Sequence, residues 1–336
     1  MKQIAITAPY KVEVRDIDPP QISAANEVLV ESTITGISAG TEMCFFRGTH
    51  PNLHTGKWNY INSFPLFPGY ECVGTVIEKG SEVNHLEIGD RVVCLGPHQE
   101  IVKLEANRVV RLPESLSSEK ALFSVLNTTA LYAVYRANPS YNDGIVVIGA
   151  GVLGLLVFQN CKRTGAVPLV MADQDQQRLE MSKEIFTDGY LNVSNESWQE
   201  DLKRLFPRDV DLVIEVTGNP QAIITAIEMA RAGGKVHIAG FHEKPCPILF
   251  GDDFLWKELT LTISFSAWEK APYHPRYVRR PLEVHFPLAV KLISEGKIHI
   301  LDKWITHRFP YHEIGKAYQM IDKKKESFLM TVLDWQ

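Results

Sequence analysis

Ile145-Val146-Val147-Ile148 runs directly into Gly149-Ala150-Gly151-Val152-Leu153-Gly154, and no other stretch constrains the fold so tightly. Four β-branched residues make a short buried strand, the glycines permit a tight turn, and helical spacing follows over Leu153–Arg163. The same rhythm continues down the chain. Leu169–Ala172, Leu212–Val216, Lys235–Ala239 and Leu259–Ser264 read as buried strands, with helices over Gln176–Phe186 and Pro220–Ala232. Strands alternating with helices of this length predict βαβ units in a doubly wound parallel sheet, an α/β fold.

The GxGxxG pattern has the context that gives it meaning, because it follows a strand, opens a helix and is followed by a second strand ending in Asp173. Gly149 permits the turn, Gly151 lets the backbone approach a pyrophosphate, and Gly154 allows close packing of helix on strand. Val152 and Leu153 open the helix, where unsatisfied N–H groups face the phosphates. Asp173 can accept hydrogen bonds from both ribose hydroxyls, and its charge repels a 2′-phosphate, so NAD is expected rather than NADP. Arg178 falls near the adenosine end. Thr217 follows the strand Leu212–Val216 and Gly240 follows the strand Lys235–Ala239, at the carboxyl ends where such sheets bind ligands. The plain alternative is a glycine turn with no ligand.

The region before residue 118 has a different character. Gln3–Thr7, Lys11–Arg15, Glu27–Ile34, Cys72–Ile77 and Asp90–Cys94 carry strand signals, helical periodicity is scarce, and a small barrel or sandwich is the simplest expectation. Ser118–Arg136 then reads as a helix. Past the last βαβ strand, helices are expected near Pro281–Glu295 and Tyr311–Lys324, with a closing strand at Leu329–Leu333. A length of 336 residues fits two domains at about 150 residues each. The net charge of −5 gives no reason to expect nucleic acid or an anionic membrane as a partner. Five scattered cysteines without a CxxC pair argue against a zinc ribbon or a disulfide framework. No secretory signal and no spanning apolar run is visible, so a cytoplasmic location is expected.

The order of motifs resembles the medium-chain dehydrogenase/reductase superfamily, that is, the zinc alcohol and polyol dehydrogenases and their zinc-free relatives. The segments that carry it are GISAGTE (36–42), PGYECVGTVIEKGSEV (68–83), IGDRV (88–92), VVIGAGVLG (146–154), DLVIEVTGN (211–219) and AGGKVHIAGF (232–241). The resemblance implies a GroES-like β-barrel catalytic domain made of residues 1–125 and 275–336. A Rossmann NAD-binding domain over 126–274 is inserted between them, and a substrate cleft lies between the two. Homodimers or homotetramers are the usual assemblies. The GTE and GYE forms look like a sub-branch with bacteriochlorophyllide dehydrogenase and sugar or cyclitol dehydrogenases.

The departures from the family pattern bear on mechanism. Where the zinc enzymes carry a cysteine and a histidine ligand, alignment places Ala39 and Tyr70, and Leu122–Leu126 offers no third ligand. The four-cysteine lobe of a structural zinc is missing after Cys94. A rearranged site drawing on Cys44, Cys72, His50, His54 or Glu71 stays open, although these lack a familiar spacing. Without zinc, side chains must polarise the substrate oxygen. Thr41 matches the family's relay hydroxyl, the Tyr70 phenol could donate to a carbonyl or alkoxide, and Glu71 could orient Tyr70 or hold a water. In the resemblance Glu71 matches the acid behind the metal, and Glu42 matches a further acid that stands outside the metal's ligands. For Glu42 and Glu71 a structural role, such as pairing with Arg47, is the alternative, and for Tyr70 the alternative is space-filling. His98 either packs at a strand start or faces substrate. Tyr273–Arg280, with Arg276, Arg279 and Arg280, is either an anion clamp or an interface loop, and Trp58 and Tyr60 would rim the cleft.

The expected function is an NAD-dependent oxidoreductase that interconverts a secondary alcohol and a ketone on a small polar molecule without catalytic zinc. A zinc-free NAD(P)H quinone or enone reductase, or an inactive NAD-binding sensor or scaffold, remain as alternatives.

Overall fold

The computed structural model describes residues 1–56, 61–185, 188–264, 282–323 and 327–336. The chain divides into two units, Met1–Val125 with Arg279–Gln336, and Leu126–Val278. Trp58, Tyr60 and the whole Tyr273–Arg280 segment lie outside the described residues.

The second unit is built on six parallel strands in the order Tyr190–Asn192, Leu169–Asp173, Ile145–Ile148, Val210–Glu215, Ala230–Ile238, Thr260–Ile263. The order reverses direction between Ile145–Ile148 and Val210–Glu215, the switch point at which open parallel sheets bind ligands. All four residues of Ile145–Ile148 are buried, as befits a central strand with both faces covered. The helix Val152–Lys162 follows at once, and nearly all of it is buried. A Cβ on Gly154 would stand 1.7 Å from the Gly149 carbonyl oxygen, so only glycine lets this helix start so close to the turn.

Three expectations need correction here. The helix starting at Pro220 ends at Met229, and its expected last residues instead open the strand Ala230–Ile238. The short strand Tyr190–Asn192 and the helix Trp198–Leu205 were not expected. That helix is eight residues long and mostly polar, and its apolar residues Trp198, Leu202 and Leu205 lie at helical spacing and pack, partly buried, against the core of this unit. The helix over Gln176 closes at Ser182.

The first unit has a seven-stranded sheet and a separate antiparallel hairpin of Lys2–Ala8 and Lys11–Asp16. Its longest strand, Glu27–Ile37, pairs antiparallel with Glu71–Lys79, with Ile101–Glu105 and with the C-terminal strand Met330–Asp334. The end of the chain therefore completes the sheet that its beginning starts. Thr331 stands opposite Ile37, and the strand Ile305–Pro310 runs parallel on the outer side. Arg91–Cys94 and Val109–Arg111 extend the other edge.

An all-β reading of the first hundred residues is incomplete. Ala39–Arg47 is a helix, closed by Gly48 in the left-handed region (φ 73°), and Pro51–Thr55 is a short second one. The sequence hid the first helix because Glu42, a charge, lies on its buried face together with Met43, Cys44 and Phe46. The expected helix over Ser118–Arg136 is two helices, Ser118–Leu122 and Ser124–Ala137, divided at Phe123. Ile314–Lys323 buries Ile314, Ala317, Tyr318 and Ile321 against Met43, Phe46 and Trp335. No helix among the described residues is long and apolar enough to cross a membrane.

The close approach at Gly154 predicts that Gly154→Ala destabilises the second unit by about 3 kcal/mol, the upper end for overpacking, since the clash is with backbone. Denaturant unfolding followed by a probe in this unit checks it. A change under about 0.5 kcal/mol would show that the turn gives way easily.

Candidate active site

In the first unit the strand Glu27–Ile37, the helix Ala39–Arg47, the strand Glu71–Lys79 and the loop carrying His98 bring hydroxyl, carboxyl and imidazole groups together. Glu42 is fully buried and fully hydrogen-bonded. Its Oε1 accepts the Ser38 backbone N–H at 2.8 Å, and its Oε2 accepts from His98 Nε2 at 2.9 Å and from the Tyr318 phenol at 2.6 Å. On the other side of the imidazole, His98 Nδ1 lies 2.8 Å from Thr35 Oγ1, which accepts the Trp335 indole N–H at 2.9 Å. An ionised carboxylate only accepts, so His98 Nε2–H donates to Glu42, and Nδ1 and the Thr35 hydroxyl share a hydrogen bond on the other side of the ring. Burial and the Glu42 charge push the Tyr318 phenol up, so it stays a donor.

This arrangement rules out one pairing and decides between the two readings of His98 in favour of packing. Arg47 does not pair with Glu42; its Nε meets Asp322 Oδ1 at 2.6 Å. His98 is buried and committed to Glu42 and Thr35.

Tyr70 is partly buried, and its phenol donates to the Ser38 hydroxyl and also hydrogen-bonds the Thr41 hydroxyl. Thr41 stands in the first turn of the helix, next to Glu42. Burial raises the Tyr70 pKa above its ordinary value, the nearby Glu71 charge adds to this, and the Ser38 hydrogen bond opposes it. Tyr70 therefore holds its proton at neutral pH.

Glu71 does not orient Tyr70. Its carboxylate is fully buried, and neither oxygen has a hydrogen-bond partner among the described residues. A Cβ on Gly36 would come within 2.5 Å of Glu71 Oε2, so the carboxyl is pressed against the neighbouring strand. Burial pushes its pKa well above the ordinary 4.5, and the Glu42 charge adds to the shift. Two acids on facing elements thus take opposite solutions. Glu42 is held by three donors, whereas Glu71 avoids its charge.

The places that the resemblance assigns to zinc ligands do not fit a metal. Ala39 has no donor atom, the Tyr70 phenol is held by Ser38 and Thr41, and Leu122 and Phe123 are buried and apolar. Cys44 donates to the Gly40 carbonyl, Cys72 lies 3.3 Å from the Ser32 hydroxyl, and His50 caps its own short helix through Asn52 N–H. Among the described residues no group of three His, Cys, Asp or Glu side chains is placed to hold a metal ion.

In the second unit the turn at 149–154 fits a dinucleotide. Gly149 has φ 117°, a conformation that L side chains rarely adopt, and the Thr217 methyl packs against it. Around Gly151 the space is open; the one neighbour of a Cβ placed there would be Arg178 Nη1 at 3.9 Å. Gly151 caps the helix without a side chain, so the N–H groups at Val152 and Leu153 have no intrahelical partner. Asp173 Oδ2 accepts Ala150 N–H at 2.7 Å and Oδ1 accepts Asp175 N–H at 2.9 Å. A carboxylate has about four acceptor sites, so two remain for ribose hydroxyls.

Sequence reasoning missed Glu215 and His242 beside this turn. Glu215 is fully buried; Oε1 accepts from Thr217 N–H, the Thr217 hydroxyl and Gly218 N–H at 2.5, 2.5 and 3.1 Å. Its Oε2 takes His242 Nε2 at 2.7 Å. A Cβ on Gly240 would come 2.9 Å from that oxygen, so Thr217, Gly218 and Gly240 converge on one carboxylate. A glutamate closing the apolar run Leu212–Ile214 was the available signal.

Residues 24–114 match the alcohol dehydrogenase GroES-like domain family and residues 152–273 match the zinc-binding dehydrogenase family. Among curated relatives, D-arabinitol dehydrogenase 1 of Uromyces fabae is 25% identical over 312 residues, covering 82% of this chain and 83% of the relative. Sorbitol dehydrogenase of Bos taurus is 25% identical over 332 residues, covering 89% and 86%. The structure of galactitol-1-phosphate dehydrogenase from Escherichia coli superposes with a TM-score of 0.82 at 22% identity, over 99% of this chain and 100% of that one. A dehydrogenase of Escherichia coli CFT073 complexed with NADH gives 0.80 at 22%, over 100% and 99%, and a Sinorhizobium meliloti 1021 protein bound to NADP gives 0.79 at 21%, over 99% and 98%. The chain belongs to the zinc-type medium-chain dehydrogenase/reductase superfamily and is an oxidoreductase of the alcohol dehydrogenase type.

The raised pKa of Glu71 has a consequence for stability. The folded state keeps this proton at pH values where the unfolded chain has released it, so the stabilisation is present at acid pH and declines as pH rises above about 4.5. Relative to Glu71→Gln, which stays neutral, the parent protein should lose up to about 1.4 kcal/mol per pH unit across that window. Melting of both proteins between acid and neutral pH measures the gap. A gap that stays constant would mean that Glu71 titrates as an ordinary carboxyl.

Proposed function

We propose that this chain is an NAD-dependent oxidoreductase that interconverts a secondary alcohol and a ketone on a small polyol-like substrate, without a catalytic zinc. The observation that carries it is the Tyr70 phenol, partly exposed, protonated and bracketed by the Ser38 and Thr41 hydroxyls, where the zinc enzymes place a histidine ligand. The named relatives that act on arabinitol and sorbitol favour a polyol.

A bound nicotinamide would supply or accept the hydride. The protein's own task is the proton. As a carbonyl carbon gains hydride, negative charge develops on its oxygen, and Tyr70 O–H donates a hydrogen bond and then its proton there. A phenol, even with a raised pKa, is a stronger acid than the alcohol formed, so the transfer runs downhill. A proton held this firmly suits the reducing direction. Thr41 hydrogen-bonds the same phenol and limits its rotation.

In the second unit, Gly149, Gly151 and Gly154 shape the turn, and the Val152 and Leu153 amides face the phosphates. The charge of Asp173 selects NAD over NADP, and Arg178 lies along the same turn. Thr217 and Gly240, set by Glu215, border the other half of the crevice.

Two measurements test this reading. NADH should bind at least about tenfold more tightly than NADPH, and Asp173→Ser should close that gap; tighter NADPH binding would overturn the cofactor assignment. Tyr70→Phe should lower kcat for ketone reduction by about 10²–10⁴-fold, the usual worth of a positioned acid. An unchanged kcat would remove Tyr70 from the chemistry.

A further inference from the structure

Ser38 stands at the N-cap of the helix Ala39–Arg47, with an extended backbone (φ −80°, ψ 96°). A serine there ordinarily turns its hydroxyl onto an amide of the first helical turn. Ser38 makes no such bond. Its hydroxyl instead accepts the Tyr70 phenol, while its backbone N–H is taken by Glu42 Oε1 at 2.8 Å. Glu42 in turn is fixed by His98 and Tyr318. The backbone of Ser38 is thus clamped from the buried side, and its hydroxyl is released from capping to face the phenol. Ser38 and Ala39 are partly exposed and Gly40 is exposed, so the chain that carries this hydroxyl is reached by solvent.

We propose that Ser38 is the positioning residue of Tyr70 and the route by which its proton is replaced. The inference rests on the assignment of Tyr70 as the proton donor. In ketone reduction the carbonyl carbon accepts hydride from a reduced nicotinamide, and the C=O π electrons move to oxygen, which takes the Tyr70 proton. The Ser38 hydroxyl then turns from acceptor to donor and gives its proton to the phenolate, and Ser38 takes a proton from water, whose hydroxide the bulk solvent neutralises. The sum is one carbonyl, one hydride and one proton converted to one alcohol. Between turnovers the same hydrogen bond holds the phenol in the orientation needed for the next transfer.

The test uses the full-length enzyme with NADH and a ketone that it reduces, comparing Ser38→Ala, Ser38→Thr, Tyr70→Phe and the double variant Ser38→Ala/Tyr70→Phe. Ser38→Ala should lower kcat roughly 10–100-fold with KM changed less than about twofold, because the interaction is used in the transition state. Ser38→Thr, which keeps the hydroxyl, should recover to within about threefold of the parent. In the Tyr70→Phe background Ser38→Ala should have no further effect, since the two act as one unit. With no capping bond to lose, Ser38→Ala should melt close to the parent. Should it fail to fold, Ser38→Cys, nearly isosteric and a weak donor, is read in its place. If Tyr70→Phe is impaired while Ser38→Ala keeps full kcat, or if the two losses multiply independently, the Ser38 inference falls and the Tyr70 assignment stands. If Tyr70→Phe keeps full kcat, the assignment falls and takes the Ser38 inference with it.

Discussion

The buried carboxylate of Glu42 is the contact on which the first unit is organised. Through three hydrogen bonds it ties the end of the longest strand at Ser38, the loop at His98 and the C-terminal helix at Tyr318. Removing a carboxylate from water costs several kcal/mol unless donors replace the lost hydration, and here all three donors come from different parts of the chain. The chain's beginning and end are therefore joined by polar chemistry as well as by the pairing of Met330–Asp334 with the long strand. His98 passes the constraint on to Thr35 and Trp335, so the base of the site is a closed polar network inside an apolar core.

Glu71 shows the opposite outcome for the same residue type. It is as buried as Glu42, yet neither oxygen has a hydrogen-bond partner among the described residues, and its proton is the substitute for donors. The two results are coupled, because the charge kept on Glu42 helps to suppress charge on Glu71. What remains facing the partly exposed side is a set of hydroxyls at Ser38, Thr41 and Tyr70. Such a set can hold and move a proton, and it has no donor atoms suited to a catalytic zinc.

Most of the parallel sheet was legible in the sequence because its central strands are short apolar runs and its glycine turn has few alternatives. Gly149, Gly154 and Asp173 could be placed by spacing alone, since each answers a local geometric need. The helix Ala39–Arg47 was not legible, because the residue that anchors it is a buried glutamate whose partners come from sites far apart in sequence. Ser38 was overlooked for a related reason: it occupies a capping position without capping, which only the placement of Tyr70 explains. Glu215 and His242 likewise meet only when neighbouring parallel strands bring their carboxyl ends together. Local constraints were readable; long-range pairing of polar groups was not.

The central claim is that hydroxyl groups, and no metal, handle the substrate oxygen. Metal analysis of the purified enzyme, combined with turnover before and after exhaustive treatment with a strong chelator, tests it directly. The account predicts full turnover in protein holding far less than one zinc per chain. Turnover that rises and falls in proportion to one bound zinc per chain would contradict it.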